Sequence, residues 1–401
     1  MDAAAPRQSS PPDRTATRVA DAHAQARRTL GVAAAFTVAS PVAAVVPHDT
    51  GAWLPLHLFL VGAVLSAISG ATQLLAVTWS TAPAPPPGLA AAQRWAVALG
   101  AAGVAAGREL EVEAVTGAGA TLVAVGLALL AAILVGVRRT AGTDRFAPAV
   151  DTYLAALACG AVGVALGGIL GAGEPGEWWA RLRGAHVSAN AFGLVGLVIA
   201  GTLPFFVATQ ARMKMAPRAT PTRVRAHGAA LTLAVAVAAT GHLLDRPGVA
   251  AAGLVGYAAV LALVVTTLPR PRRRQLDWAG PRLLQLGAGI GWWVVTTLLL
   301  ARSWAAGAPD EAAVLRALAI GGFAQILVAS LAYFGPVLRG GGHERLSAGF
   351  TTTRSWLGLV VGNVAAGALL AGATRLAGAA LGVWAADTAW RTARLLLPPR
   401  P

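Results

Sequence analysis

Seven histidines supply the imidazole ligands and a single cysteine the one thiol of this 401-residue chain. Three of the histidines, His57, His186 and His242, belong to different apolar stretches, and His48 stands in the connection before the first of these. Neutral imidazoles brought together from separate helices are a common way for a helical bundle to hold haem iron or copper. On this reading His57 and His186 are cofactor-binding and metal-ligating candidates, His242 is an auxiliary metal ligand, and His48 is the weakest of the four. A ligating imidazole needs an acceptor for its second ring nitrogen. Asn190, one helical turn after His186, is placed to brace that ring and joins the cofactor-binding set, while Asp245 follows His242 by three residues. The competing reading places His57 and His186 in the headgroup layer, beside Trp53, Trp178 and Trp179, where amphipathic rings gather. The lone Cys159 leaves no disulfide within the chain and no cysteine-based metal or iron–sulfur site.

The elements that must position these side chains are transmembrane helices. Hydrophobic residues make up 56% of the chain and charged ones 12%, with a mean hydropathy of +0.62. A soluble domain has nearer ~45–50% apolar and about 25% charged residues. Apolar stretches fall near 29–47, 53–79, 90–106, 114–137, 149–172, 185–209, 224–244, 248–268, 280–300, 312–337, 355–373 and 376–393. Each is of the order of the ~20 residues that cross a hydrocarbon layer. The expected fold is therefore an all-α, polytopic transmembrane bundle of about twelve helices. Because Asp387 interrupts the last stretch, the alternative count is eleven with a terminal amphipathic helix. The 47 glycines, with abundant alanine, predict close helix packing, since small residues let backbones approach where lipid offers no hydrophobic drive. Gln73, Asp151, Gln285, Gln325, Asn363 and Asp387 read as interhelical ties more readily than as substrate groups. No internal repeat stands out, although the count admits two halves divided near 210–223.

Basic residues orient the bundle. The net charge is +15, and most of the 32 basic residues fall in alternate connections, among them the run Arg270, Arg272, Arg273 and Arg274. The remaining connections are arginine-poor and hold Glu109, Glu111, Glu113, Asp310 and Glu311. The positive-inside rule then puts both termini in the cytoplasm and the candidate histidines toward the outer face. Read this way, the charge serves topology and anionic lipid in the plasma membrane, and nucleic acid is excluded as a partner. Residues 1–28 read as a disordered basic cytoplasmic tail, residues 29–396 as one transmembrane domain and residues 397–401 as a short tail.

Two segments carry a resemblance. HLFLVGAVLSAI from His57 to Ile68 and AHVSANAFGLVGLVIAGTL from Ala185 to Leu203 resemble the membrane portion of actinobacterial copper-oxidase and nitrite-reductase-associated proteins. More distantly, they resemble the NnrS family and subunit I of haem-copper oxidases. In such relatives the second helix carries a His followed by Gly, matched by His57 and Gly62. The sixth reads approximately H-x-H-x-N-x-x-G-x-x-G, of which His186, Asn190, Gly193 and Gly196 are present and Ser188 replaces the second His. A further His of the second-helix pattern is absent near Gln73 and Leu74, and no His-His pair or blue-copper ligand cluster occurs. The resemblance implies a membrane protein binding haem or copper near the outer face, with a redox or metal and nitrogen-oxide handling role and a redox partner protein or subunit. Two alternatives stand beside it: a secondary transporter for a small solute, for which twelve spans with both ends inside is a frequent layout, and a non-catalytic partner subunit of a membrane redox complex.

Overall fold

The computed structural model describes residues 14–173, 176–307 and 310–396, which form helices and no strand. In chain order the long helices are α1 (Arg14–Val45), α2 (Trp53–Ser80), α3 (Pro87–Glu109), α4 (Glu113–Arg139), α5 (Ala147–Gly171) and α6 (Gly176–Gln210). There follow α7 (Pro221–Leu243), α8 (Pro247–Thr266), α9 (Pro281–Ala306), α10 (Glu311–Arg339), α11 (Gly342–Leu370) and α12 (Thr374–Leu396). Eleven of them, α1 to α11, are long and apolar enough to cross a membrane. The last, α12, has the 23 residues of α3 and α7 but carries Arg375, Asp387, Arg391 and Arg394. The chain is a polytopic, all-α membrane protein.

Residues 14–28, expected within a disordered tail, are helical. Residues 1–13 and 397–401 lie outside the described residues, but α1 is already helical from Arg14. Its first turns are held by side chains that reach the α2–α3 connection and α10. Arg18 donates to the Thr81 carbonyl at 2.7 Å, Gln25 to that of Pro85 at 2.9 Å and Arg27 to that of Leu338 at 3.0 Å. Ala22 and Ala26 are buried beneath them.

Instead of two halves, the backbone repeats three times, in units α1–α4, α5–α8 and α9–α12. The second helix of each unit holds a π-helical segment, beginning at Leu58, Ser188 and Leu318, evenly spaced along the chain. Each of these helices has a residue of positive φ at or just before its start, Gly51, Gly176 and Gly307, and another just after its end, Thr81, Arg212 and Gly340. The third and fourth helices of each unit join through one kind of tight turn. In these turns Val112 N donates to Gly107 O at 2.8 Å, Arg246 N to Gly241 O at 2.7 Å and Ala373 N to Ala368 O at 2.9 Å. That reach back to the sixth residue, with positive φ at Glu111, Asp245 and Gly372, is a Schellman closure. Four of these left-handed positions carry side chains, at roughly 1–2 kcal/mol each, so the turn geometry outweighs residue preference.

The three π-bearing helices form the inside of the bundle. Their most apolar windows are buried over 78%, 83% and 61% of residues in α2, α6 and α10, against 50% or less in every other candidate span. Polar side chains tie each to its neighbours. Gln73 donates to Gln93, which donates to Ser69, linking α2 and α3. Trp292 and Gln325 both donate to Asn363, linking α9, α10 and α11. The Tyr257 hydroxyl donates to the Phe192 carbonyl inside the π segment of α6 at 3.0 Å. Asp387 pairs with Arg391 as its spacing predicts. Asp151 pairs with Arg138 and Arg225 in place of the nearer Arg145.

Between α3 and α4 the backbones touch. A Cβ on Gly119 would lie 2.4 Å from the Val104 nitrogen and 2.7 Å from the Gly103 carbonyl carbon, whereas one on Gly117 would meet nothing within 4 Å. Backbone cannot swing aside as a side chain can, so overpacking at Gly119 should cost roughly 1–3 kcal/mol. Gly119→Ala should lower the thermal midpoint of the detergent-purified protein. Gly117→Ala should leave it unchanged or slightly raised, because alanine is the better helix former. Equal midpoints would contradict this packing.

Candidate functional site

His57 sits at the last turn of ordinary helix before the π segment Leu58–Val64. Its Nδ1 is 2.9 Å from the Trp53 carbonyl oxygen, and its ring stacks on the Trp53 indole with centroids 3.9 Å apart. A carbonyl oxygen only accepts, so Nδ1 carries the proton, and in the neutral ring Nε2 holds the lone pair. Among the described residues no hydrogen bond reaches Nε2.

His186 repeats this arrangement with a different partner. It lies two residues before the π segment Ser188–Gly196, and its Nδ1 is 2.8 Å from the Gly163 carbonyl oxygen of α5. This again assigns the proton to Nδ1 and the lone pair to Nε2. Asn190 is not the acceptor. Its Nδ2 donates to the His186 carbonyl at 3.1 Å and only packs beside Nδ1 at 3.3 Å, since both of those nitrogens carry protons. Both side chains need the glycines opposite them: a Cβ on Gly163 would fall 2.4 Å from Asn190 Nδ2, and one on Gly167 2.6 Å from His186 Cε1. Ser188, in the place of the pattern's second His, donates within its own helix to the Gly184 carbonyl at 2.9 Å.

His57 and His186 lie within electrostatic reach of each other. Their π segments are not among the closely packed element pairs, so the backbones of α2 and α6 stay apart at this level. His242 is elsewhere. Its ring packs against Gly184, whose Cβ would lie 2.3 Å from Nδ1, and meets Trp304 edge-on at 4.2 Å. Gly184 and His186 are two residues apart, about 200° around the helix, so His186 and His242 occupy opposite flanks of α6. The His242 Nε2 is buried without a hydrogen-bond partner among the described residues. Asp245 does not serve it, being paired with Arg181 at 3.1 Å. The charged neighbours of His242 are Glu311 and Arg183, which pair with each other at 2.7 Å. His48 stands 3.7 Å from Glu109 and ties the α1–α2 connection to the end of α3. Among the described residues no three of His, Cys, Asp and Glu are grouped as a metal-enclosing set.

The residues that sequence reasoning missed are the glycines. Gly160, Gly163 and Gly167 recur at helical spacing and turn one face of α5 to Leu194, Asn190 and His186. That spacing was present in the sequence, but among 47 glycines it did not stand out.

At neutral pH, ¹⁵N spectra of histidine-labelled protein should show two rings protonated at Nδ1 and bare at Nε2, and these signals should vanish in His57→Ala and His186→Ala respectively. Gly167→Ala should move the His186 signal and leave that of His57 in place. Protonation at Nε2 in either ring would undo the assignment.

Neither a protein-family model nor any curated protein matches the chain. Its own geometry gives a multi-pass membrane protein whose arginine-poor end presents two histidines with Nδ1 tied to backbone carbonyls.

Proposed function

We propose that this is a plasma-membrane protein that holds haem iron or copper between His57 and His186, near the outer face, in a redox or metal and nitrogen-oxide handling role. One observation carries the reading: two rings from different helices each spend Nδ1–H on a backbone carbonyl and keep Nε2 unbonded. That is the arrangement by which a protein fixes the tautomer and direction of a ligating imidazole. The donor set fits either ion, since neutral imidazole nitrogen binds both iron and copper. Gly163 and Gly167 give the second ring and Asn190 the room they take. Bound iron or copper would supply one-electron chemistry, for which a redox partner protein or subunit is implied. The surrounding arginines serve lipid and topology, not nucleic acid.

Non-catalytic service as a partner subunit is favoured by Ser188, which occupies the pattern's second histidine position and bonds only to its own helix. Both readings are decided by one preparation. Protein purified after growth with haem and copper supplied should show either a haem spectrum or near-stoichiometric copper, and His57→Ala or His186→Ala should abolish it. Asn190→Ala, which removes only a packing contact beside the ring, should weaken binding less than either histidine variant. His242→Ala should retain the bound group, because its ring lies on the other flank of α6. A colourless, copper-free wild type would leave the partner-subunit reading standing and end the cofactor reading.

A further inference from the structure

A second cluster lies at the opposite, arginine-rich end. A cavity of about 300 Å³ is lined by residues that include Arg212, Trp278, His343, Ser347, Phe350 and Arg354. Arg212 stands over the Trp278 ring at 4.1 Å. Arg282 does not line the cavity but stacks on the same rings, 5.0 Å from Trp278 and 4.7 Å from Phe350, and on Tyr333 at 5.4 Å.

The balance of charge here is one-sided. Arg282 is only 3% exposed, yet its one hydrogen bond is a long contact to the Gln210 carbonyl at 3.5 Å, and its Nε has no partner among the described residues. Arg354 donates to the Trp278 carbonyl, while its own Nε is also buried without a partner. Arg212 and Arg354 are the charges that act on Arg282, together with Tyr333. None of the described ion pairs brings a carboxylate to any of the three. Guanidinium groups are over-represented where phosphate is recognised, because their donors form a planar fork that matches its oxygens.

We infer that this cavity is a binding site for a phosphate group, whose oxygens take the guanidinium donors of Arg212 and Arg354 and whose charge compensates buried Arg282. The phosphate comes either from an anionic phospholipid headgroup or from a free phosphorylated solute. The site is independent of His57 and His186, at the other end of the bundle.

The test uses the full chain in nanodiscs of phosphatidylcholine alone, titrated with inorganic phosphate against chloride at matched ionic strength. Phosphate should raise the thermal midpoint. Arg212→Gln, which sacrifices no protein hydrogen bond, should weaken the response about tenfold or more, the loss expected for a charged hydrogen-bond partner. Arg270→Gln, outside the cavity, should respond as wild type. Ser347→Asp supplies a carboxylate from the cavity wall, so it should raise the midpoint without phosphate and remove the phosphate response. In the lipid arm, native mass spectra after reconstitution with phosphatidylglycerol should show retained lipid in wild type and not in Arg212→Gln. Phosphate stabilisation without lipid retention assigns a soluble ligand, and lipid retention without phosphate stabilisation assigns the headgroup. Neither effect, or equal effects in Arg212→Gln and Arg270→Gln, overturns the site.

Discussion

In hydrocarbon no water stands ready to satisfy a backbone amide or carbonyl, and each one left open costs several kcal/mol. That constraint makes the chain helical almost throughout and governs where it departs from regular helix. A π segment shifts the register of the carbonyl ladder, and in this protein the departures are confined to α2, α6 and α10, the three helices most enclosed by others. There the displaced groups find protein partners. Tyr257 serves the Phe192 carbonyl, and a Cβ on Gly196 would fall 2.1 Å from that same hydroxyl, so the glycine is what admits the tyrosine. The candidate histidines sit at the mouths of two of these segments. π segments recur at functional sites, and here they re-aim the outer turns of α2 and α6.

The outer helices answer a different constraint. They face lipid on one side and can only gain from each other by close approach, so α3 against α4 and α7 against α8 meet through small residues. Gly253 lies against the Ala238 backbone as Gly241 lies against Ala250. A Schellman turn joins each pair and sets where the two helices start and stop. Three such hairpins, each outside one enclosed helix, give a bundle in which position within the repeat determines burial. The third repeat departs at α11, which breaks between Thr352 and Trp356, and Ser355 caps the new helix by accepting from Gly358 N at 2.7 Å.

Hydropathy and charge made the spans legible, because length and apolar content suffice to define a membrane helix. The polar ties were legible for a related reason: Gln73, Gln325 and Asn363 in apolar stretches find partners, whereas Gln285, read the same way, keeps its Nε2 buried without one among the described residues. What escaped was everything that depends on backbone geometry. The threefold repeat is written in dihedral angles, and Thr81, Arg212 and Gly340 share a positive φ with no residue type in common. The helical start of α1 is set by Arg18, Gln25 and Arg27 meeting carbonyls more than fifty residues away, which composition cannot reveal. At the candidate site the two histidines were found as residues, but Gly163 supplies its carbonyl through the fold, and Asp245, in the α7–α8 turn, was drawn to Arg181 of α6.

The two ends of the bundle carry complementary deficits. At the arginine-poor end, rings whose N–H groups are spent offer lone pairs, which attract cations. At the arginine-rich end, guanidinium donors stand without acceptors. The aromatic rings around Arg282 do not remove that deficit. A cation over a ring gains about 0.5–2 kcal/mol, so the three rings near Arg282 together offset a few kcal/mol at most. Taking an ion out of water costs several kcal/mol even after relaxation, and Arg212 and Arg354 add repulsion to that. Stacking thus orients the guanidinium and shields it from lipid without neutralising it. An arrangement of this kind is favoured only when a negative charge completes it, and none of the described ion pairs supplies one to the cluster.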